Sequence, residues 1–253
     1  MDGLWFTYFV ITGLVMGSFY NVVGLRVPAG ESFTGKARSK CPSCGKTLGA
    51  PELIPVLSWF LLRGRCKGCG KRISPMYPLM ELVTGVLFGL AFLHIGLSME
   101  LVVALLFLSM LVIITVSDLS TMLIPDKVLL FFGIPILLLR MSVAPLDPWW
   151  TAFAGAGLGF GILLLLAVAS RGGMGGGDIK LYLVIGFVLG PIETVLSLFL
   201  AALVGLVYGL PRIVKRQTGR GNPIPFGPFI ALGAVIAYFM GGAILDWYVG
   251  LLF

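Results

Sequence analysis

Long apolar segments alternate with short polar ones along most of this chain. A helix of roughly 17–25 mainly apolar residues is long enough to cross the hydrocarbon core of a bilayer. Eight segments have this apolar character, although two of them are short: 5–23, 77–96, 101–117, 128–139, 149–169, 181–189, 192–210 and 228–245. The pattern predicts an all-α fold, a polytopic membrane helix bundle of about eight transmembrane helices. A break at Gly190-Pro191 favours two spans between 181 and 210.

The composition agrees with a membrane protein. Apolar residues make up 58% of the 253 residues and charged residues only 11%, and the mean hydropathy is +1.03. Soluble domains carry about 25% charged residues. We expect the first apolar segment to be retained rather than removed as a signal peptide. Only Asp2 precedes it, without a basic region, and the apolar stretch is too long for such a peptide.

The distribution of basic residues predicts how the helices are oriented in the membrane. The chain has 18 lysines and arginines, of which ten lie between 26 and 72. The others are Lys127, Arg140, Arg171, Lys180, Arg212, Lys215, Arg216 and Arg220. With eight crossings, all of them except Arg140 fall on one side, which the excess of positive charge marks as cytoplasmic. Asp118 and Asp178 are predicted on that side too. Such basic loops bind anionic lipid headgroups, so the net charge of +7 does not indicate a nucleic-acid partner.

All four cysteines lie in the polar region between the first two apolar segments. They form two CxxC pairs separated by 21 residues: Cys41, Cys44, Cys66 and Cys69. Two such pairs are the usual way to present four thiolates tetrahedrally to zinc. A cytoplasmic region of about 50 residues has little core of its own, so a structural zinc ion is expected. Free or redox-active thiols and a pair of disulfides are the alternatives, although disulfides are rare in a reducing compartment.

Two aspartates stand next to apolar stretches. Asp118 follows the uncharged segment 101–117, and Asp178 follows a run of three glycines at 175–177. Charged groups are costly at membrane depth and usually face a cavity, a partner or a substrate path. Two carboxyl groups can supply both the acid and the base that hydrolysis of a peptide bond needs. The glycines would let backbone and substrate approach Asp178 closely.

Other interpretations of these residues are open. Glycines also serve close helix packing in membranes, whereas a phosphate loop is excluded because it needs a lysine where Asp178 stands. His94 is the only histidine, which argues against Ser–His or Cys–His catalysis. Acids near helix ends also occur in proton-coupled transporters. In a zinc-stapled membrane scaffold, the two aspartates would serve only as ion-pair partners of Lys127 and Lys180.

Several separate motifs together cover nearly the whole chain. They are GSFYNVVGLRVP at 17–28, the two CxxC pairs, YPLME at 77–81, DLSTMLIPD at 118–126 and GGGDIK at 175–180. These motifs resemble those of the type IV prepilin peptidase family, whose members are both leader peptidases and N-methyltransferases. The resemblance implies three parts: a first transmembrane helix at 1–25, a cytoplasmic tetracysteine domain at 26–75 with a methyltransferase role, and a membrane aspartyl protease bundle at 76–253.

The resemblance also implies the chemistry. Asp118 and Asp178 would be the catalytic pair of an aspartic endopeptidase, whereas Asp126 would have no essential role. Such enzymes cleave type IV prepilins or type II secretion pseudopilins after a glycine, at the cytoplasmic face of the bacterial inner membrane. They then methylate the new N-terminal residue with S-adenosylmethionine. The candidates for binding the methyl donor or the substrate, by their place in matching motifs, are Asn21, Arg26 and Glu81.

Overall fold

The computed structural model describes residues 2–32, 38–171, 173–214 and 224–252. Within these ranges the chain is mainly helical, with two isolated β-bridges, Lys40 to Thr47 and Arg65 to Arg72, in the cysteine region. The all-α prediction is therefore confirmed. Four of the basic residues counted for the orientation lie outside the described residues, namely Lys36, Lys215, Arg216 and Arg220.

Nine α-helices and one short 3-10 helix (Ala50–Leu53) are present in the described ranges. The α-helices are α1 (Asp2–Arg26), α2 (Leu57–Leu61), α3 (Met76–Ile95), α4 (Met99–Thr121), α5 (Asp126–Ser142), α6 (Thr151–Ala169), α7 (Gly176–Leu189), α8 (Pro191–Val214) and α9 (Gly227–Leu252). Each of the eight apolar segments in the sequence coincides with one of these helices, and α2 belongs to the polar region between the first two.

Six of the helices are long and apolar enough to cross a membrane: α1, α3, α4, α6, α8 and α9. The other two apolar helices are shorter, since α5 has 17 residues and α7 has 14. A membrane bundle is thus confirmed, whereas the count of eight crossings is not. The predicted break is present, because α7 ends at Leu189, its cap Gly190 has a φ of 78° that suits glycine, and α8 begins at Pro191.

The chain forms two compact units, Met1–Val116 and Ser117–Phe253. In the first unit, α1 packs closely along α3. A Cβ on Gly13 would come within 2.7 Å of the Thr84 carbonyl oxygen, and a Cβ on Gly17 would come within 2.8 Å of Glu81 Cα. Only glycine allows this backbone approach, as is common between membrane helices. The three domain boundaries expected from the sequence stay a prediction.

Close glycine contacts also join the helices of the second unit. A Cβ on Gly155 of α6 would lie 2.5 Å from the Gly186 carbonyl oxygen of α7. A Cβ on Gly233 of α9 would lie 2.5 Å from the Ser197 carbonyl oxygen of α8. The pairs α6–α7 and α8–α9 therefore pack backbone against backbone, which places the N-terminus of α7 and the N-terminus of α9 in one packed unit.

Arg140 ties the ends of two helices together in this unit. It lies near the end of α5, is 3% exposed, and donates hydrogen bonds to the carbonyl oxygens of Ala144 at 3.0 Å and Val188 at 2.8 Å. A cation at the C-terminal ends of helices satisfies carbonyl groups that have no partner in the helix. Asp178 lies at the opposite end of α7.

Candidate functional site

The two cysteine pairs adopt the same local structure. Cys41 N–H donates to the Lys46 carbonyl, and Gly45 N–H donates back to the Cys41 carbonyl, both at 2.9 Å. The second pair repeats this arrangement around Cys66 and Gly70. Both glycines have a φ of 69°, a conformation that glycine adopts without steric cost. The glycine that follows each CxxC pair therefore closes the turn that presents the two sulfur atoms.

The four sulfur atoms are brought together and can hold a metal ion. All of them lie within 4.8 Å of one another, and Cys41 Sγ is 3.9 Å from Cys69 Sγ. None of the four is in a disulfide. A tetrahedron with metal–sulfur bonds of about 2.3 Å has edges of about 3.8 Å. Backbone hydrogen bonds at Ser43 and Cys44 lower the pKa of the Cys41 thiol to about 6. Against a lowering backbone hydrogen bond at Lys46, burial and the adjacent thiols raise the pKa of the Cys44 thiol to about 11. Cys41 is therefore the first of this pair to supply the thiolate that binds metals.

A cavity of about 460 Å³ lies beside the cysteine cluster in the first unit. All three candidate residues from the α1 and α3 motifs line it, together with Cys41 and Cys66: Asn21, Arg26 and Glu81. Its size is in the usual range for small-molecule sites. Residues up to 60 positions apart in the sequence therefore line one pocket.

Asn21 and Glu81 are buried in the wall of this pocket, at 1% and 8% exposure. The Asn21 amide donates to the Tyr77 carbonyl at 3.1 Å, whereas its Oδ1 atom has no hydrogen-bond partner among the described residues. Glu81 accepts a hydrogen bond of 2.7 Å from Val56 N–H and another from the Ser18 hydroxyl. A buried acceptor without a partner costs about 1–3 kcal/mol, so Asn21 Oδ1 marks a place where a ligand can donate a hydrogen bond.

Asp118 lies near the C-terminal end of α4 and is 6% exposed. Its Oδ2 atom accepts a hydrogen bond of 2.7 Å from the backbone N–H of Gly227, the first residue of α9. The preceding Ser117 hydroxyl donates to the Leu123 carbonyl at 2.6 Å. That bond closes the turn after the helix end. The Asp118 carboxylate is therefore fixed between the end of one helix and the beginning of another.

Asp178 lies in the first turn of α7, ahead of the apolar stretch 181–189, and is half-buried. Two of the glycines before it allow close packing around this turn. A Cβ on Gly175 would lie 3.2 Å from Asp178 Oδ2, and a Cβ on Gly177 would lie 2.8 Å from Ile124 Cβ. Burial, followed by the nearby charge of Asp118, raises the pKa of Asp178 from 3.8 to about 6. The second unit thus brings both predicted acids to one site.

The third aspartate of these motifs has a separate environment. Asp126 begins α5 and forms an exposed ion pair, with its Oδ2 atom 2.6 Å from Lys180 Nζ. Within the described part of the chain, the ion pairs include neither Asp118 nor Asp178. The scaffold interpretation, in which these two acids pair Lys127 and Lys180, therefore has no structural support.

The sequence motifs do not include Gly227, which the structure places at the site. The available signal was the run Pro225-Phe226-Gly227-Pro228 at the start of the last apolar segment, since proline is common in the first turn of a helix. Nothing in that run shows that its N–H faces an aspartate 109 residues earlier. Packing is what brings the two together.

Two family models match the chain. The bacterial peptidase A24 N-terminal domain matches residues 11–95, and the type IV leader peptidase family matches residues 105–210. The first range contains the four cysteines and the pocket residues, and the second contains both site aspartates. No solved structure matches the chain.

Curated relatives match over nearly the full length. A prepilin leader peptidase/N-methyltransferase of Bacillus subtilis is 44% identical over 239 residues, which is 94% of this chain and 96% of the relative. One of Aeromonas salmonicida is 34% identical over 97% of this chain and 94% of its own length. One of Myxococcus xanthus is 37% identical over 87% of this chain and 66% of its own length.

Proposed function

The chain belongs to the type IV leader peptidase family, and we propose that it cleaves the leader peptide of type IV prepilins and methylates the new N-terminus. The observation that carries the peptidase proposal is the meeting of Asp118 and Asp178 in one unit, close enough for the charge of one to act on the other. Two neighbouring carboxylates do not both ionise easily, so one is held protonated. That state supplies an acid and a base together.

The pair performs hydrolysis without a covalent intermediate. The ionised carboxylate removes a proton from a water molecule, whose oxygen attacks the scissile carbonyl carbon, while the protonated carboxyl donates to the carbonyl oxygen. Gly175, on which a Cβ would lie 3.2 Å from Asp178 Oδ2, leaves that carboxylate open to an extended peptide backbone. The two acids therefore have both the chemistry and the access that peptide cleavage needs.

We propose that cleavage takes place at the cytoplasmic face of the bacterial inner membrane. The excess of lysine and arginine in the connections that the sequence places on the same side as Asp118 and Asp178, ten of them between 26 and 72, supports this orientation. A membrane-inserted pilin with a short cytoplasmic leader, cut after a glycine, is the substrate that suits such a site. Type II secretion pseudopilins have the same arrangement and are proposed as further substrates.

The pocket of the first unit is proposed to hold S-adenosylmethionine, which supplies an electrophilic methyl group when bound. The residues present fit its amino acid part. Asn21 Oδ1 and the Glu81 carboxylate are acceptors suited to an ammonium group. Arg26 brings positive charge to the same pocket and suits a carboxylate. These residues would bind and orient the methyl donor beside the N-terminus to be modified.

We propose that the four cysteines hold one structural zinc ion. The sulfur spacing supports a tetrahedral site that the protein fills completely, as in structural zinc centres. Cys41 and Cys66 also line the pocket. The metal would therefore hold the pocket wall in place without taking part in methyl transfer.

One experiment tests the two activities together. Purified protein in detergent is incubated with a prepilin and S-adenosylmethionine, and the intact mass of the pilin is measured. Loss of the leader mass together with the gain of one methyl group is the expected result. If the pilin keeps its full mass with wild-type protein and with Asp118→Asn and Asp178→Asn variants alike, the peptidase proposal is wrong.

The alternative functions have no support beyond the sequence pattern. A proton-coupled transporter would use the aspartates as proton relays, but the membership of the chain in a peptidase family provides no reason to expect ion movement. A zinc-stapled scaffold would need the aspartates in ion pairs, and Lys180 pairs with Asp126 instead.

A further inference from the structure

The hydrogen bond between Gly227 and Asp118 makes the two site aspartates unequal. Asp118 Oδ2 accepts from the first N–H group of α9, at 2.7 Å and buried. The Asp178 carboxylate has its backbone hydrogen-bond partner, Gly175, at the start of its own helix, where the Asp178 N–H also donates to the Gly175 carbonyl at 3.2 Å. The donor to Asp118 thus comes from a different helix, 109 residues away in sequence, whereas the donor to Asp178 belongs to the turn that precedes it.

An N–H donor favours the ionised form of a carboxylate over the neutral acid. The effect is greater here because Gly227 is the first residue of a helix of 26 residues. The first N–H groups of a helix have no partner within it, and the helix dipole places partial positive charge at this end. Both contributions act on Asp118 and stabilise its negative charge.

Gly227 also has no room for a side chain. A Cβ built on it would lie 2.8 Å from Asp118 Oδ2 and 3.0 Å from Asp118 Cβ. Any other residue would push the carboxylate away from the N–H group. Since no positive φ is required at this position, contact with Asp118 is the constraint that keeps glycine here.

We infer that Gly227 is a positioning residue that keeps Asp118 ionised and in place, so that Asp118 is the base and Asp178 the acid of the pair. This inference rests on the proposed peptidase function. The titratable groups of the second unit that face this site are Asp118, Asp178 and Tyr182, which interacts with Asp178 one turn further along α7, while Asp126 and Lys180 pair with each other. The difference between the two acids therefore comes from the N–H group at the start of α9, which reaches Asp118 alone of the two.

The assignment gives a balanced reaction. Asp118 takes a proton from water as the water oxygen bonds to the scissile carbon, and Asp178 passes its proton to the carbonyl oxygen. When the tetrahedral intermediate collapses, the C–N bond breaks and Asp118 delivers its proton to the leaving nitrogen. Asp178 recovers a proton from the hydroxyl group as the new carboxyl group forms. Both residues then return to their starting states.

The test compares Gly227→Ala with Gly242→Ala in the same helix, where a Cβ meets nothing within 4 Å. Cleavage of a prepilin is followed against substrate concentration and pH. We expect Gly227→Ala to lower kcat by about 100-fold, the effect of a small misplacement of a catalytic group, with KM unchanged. The acid limb of its pH profile should move to higher pH, because Asp118 loses a donor that favours its ionised form. Gly242→Ala should match the wild type.

A second variant removes the donor without adding an atom that collides. Replacing the Gly227 amide by an ester, with glycolic acid at that position, exchanges N–H for oxygen. The ester variant should shift the acid limb of the pH profile in the same direction as Gly227→Ala. This result tests the role of the N–H group even if Gly227→Ala does not fold. A wild-type kcat and pH profile for the ester variant would overturn the inference. Retained cleavage by Asp118→Asn or Asp178→Asn would instead overturn the proposed function beneath it.

Discussion

Lys180 Nζ lies 2.6 Å from Asp126 Oδ2, so the lysine that follows Asp178 by two positions pairs with an aspartate at the start of α5. The pair is exposed on both sides, and exposed ion pairs contribute only about 0–1 kcal/mol to stability. Each of the two motifs therefore contributes one residue to this surface pair and one acid to the site. Asp126 can therefore be mutated as a control for Asp118 and Asp178.

The first prediction concerns the three aspartates. Asp118→Asn and Asp178→Asn should each lower prepilin cleavage by about 1,000-fold or more, because general acid and base groups each contribute about 10²–10⁴. Asp126→Asn is the matched control and should keep cleavage within about twofold, since only an exposed pair is lost. Mass spectrometry of the pilin gives the rates, and substantial turnover by either site variant removes that residue from the reaction.

The second prediction is one zinc ion per chain, bound by the four cysteines. X-ray absorption should show four sulfur neighbours at about 2.3 Å, and elemental analysis should give one equivalent. The four Sγ atoms already lie within 4.8 Å of one another. Carefully purified protein without metal, or a metal with fewer than four sulfur ligands, would contradict this assignment.

The third prediction is that the two activities separate. In a Cys41→Ser/Cys44→Ser protein, loss of metal should loosen the pocket wall, because the binding energy of a structural site is largely folding energy. Methyl transfer should be lost while at least partial cleavage remains, since the membrane helices are held by their own hydrogen bonds and packing.

The reverse case uses Asp178→Asn with pilin from which the leader has already been removed. Methylation should proceed because the variant leaves the first unit unchanged, while cleavage of intact prepilin should be absent. Normal methylation by the cysteine variant would show that the metal is not needed for the pocket.

The fourth prediction concerns the partnerless oxygen in the pocket. Asn21→Leu should raise the KM for S-adenosylmethionine by about 10–100-fold, the effect of losing a hydrogen bond to a charged group, with cleavage unchanged. Thr7→Val on the same helix is the control, because Thr7 is exposed and bonds only to the Gly3 carbonyl. An unchanged KM in Asn21→Leu would exclude the oxygen from methyl-donor binding.

The fifth prediction follows from the raised pKa of Asp178, about 6 compared with an ordinary 3.8. A carboxyl whose pKa is raised by folding contributes stability below about pH 4 that is lost as the pH rises through about 6. Asp178→Asn does not ionise, so it should unfold at a higher temperature than wild type at pH 8. A shift of about 2–4 °C corresponds to each kcal/mol in a domain of this size.

The control for this stability measurement is Asp126→Asn, whose exposed carboxylate should change the unfolding temperature little at either pH. The higher unfolding temperature of Asp178→Asn should approach that of the wild type as the pH falls towards 4. Near that pH, Asp178 of the wild type is largely protonated in both the folded and the unfolded protein. An advantage that is equal at pH 4 and pH 8 would mean that ionisation of Asp178 is not its cause.

The sequence alone determined the helical architecture and the two local motifs. Apolar runs must satisfy their backbone hydrogen bonds within the membrane, so they form helices wherever they occur, and each predicted segment is a helix. The CxxC-Gly pattern is equally local, because each turn closes through hydrogen bonds within five residues. The aspartyl motifs carried the family resemblance, which the relatives confirm.

Tertiary structure decided which residues meet. The scaffold interpretation paired Lys180 with a site aspartate, whereas the packing of α5 beside α7 gives it Asp126 as its partner. The number of crossings was also open, because α5 and α7 are shorter than a full span. Gly227 N–H reaches Asp118 across 109 residues. Hydropathy and motif spacing describe neighbours along the chain, whereas the direction of a single N–H group depends on how two helix ends are packed together.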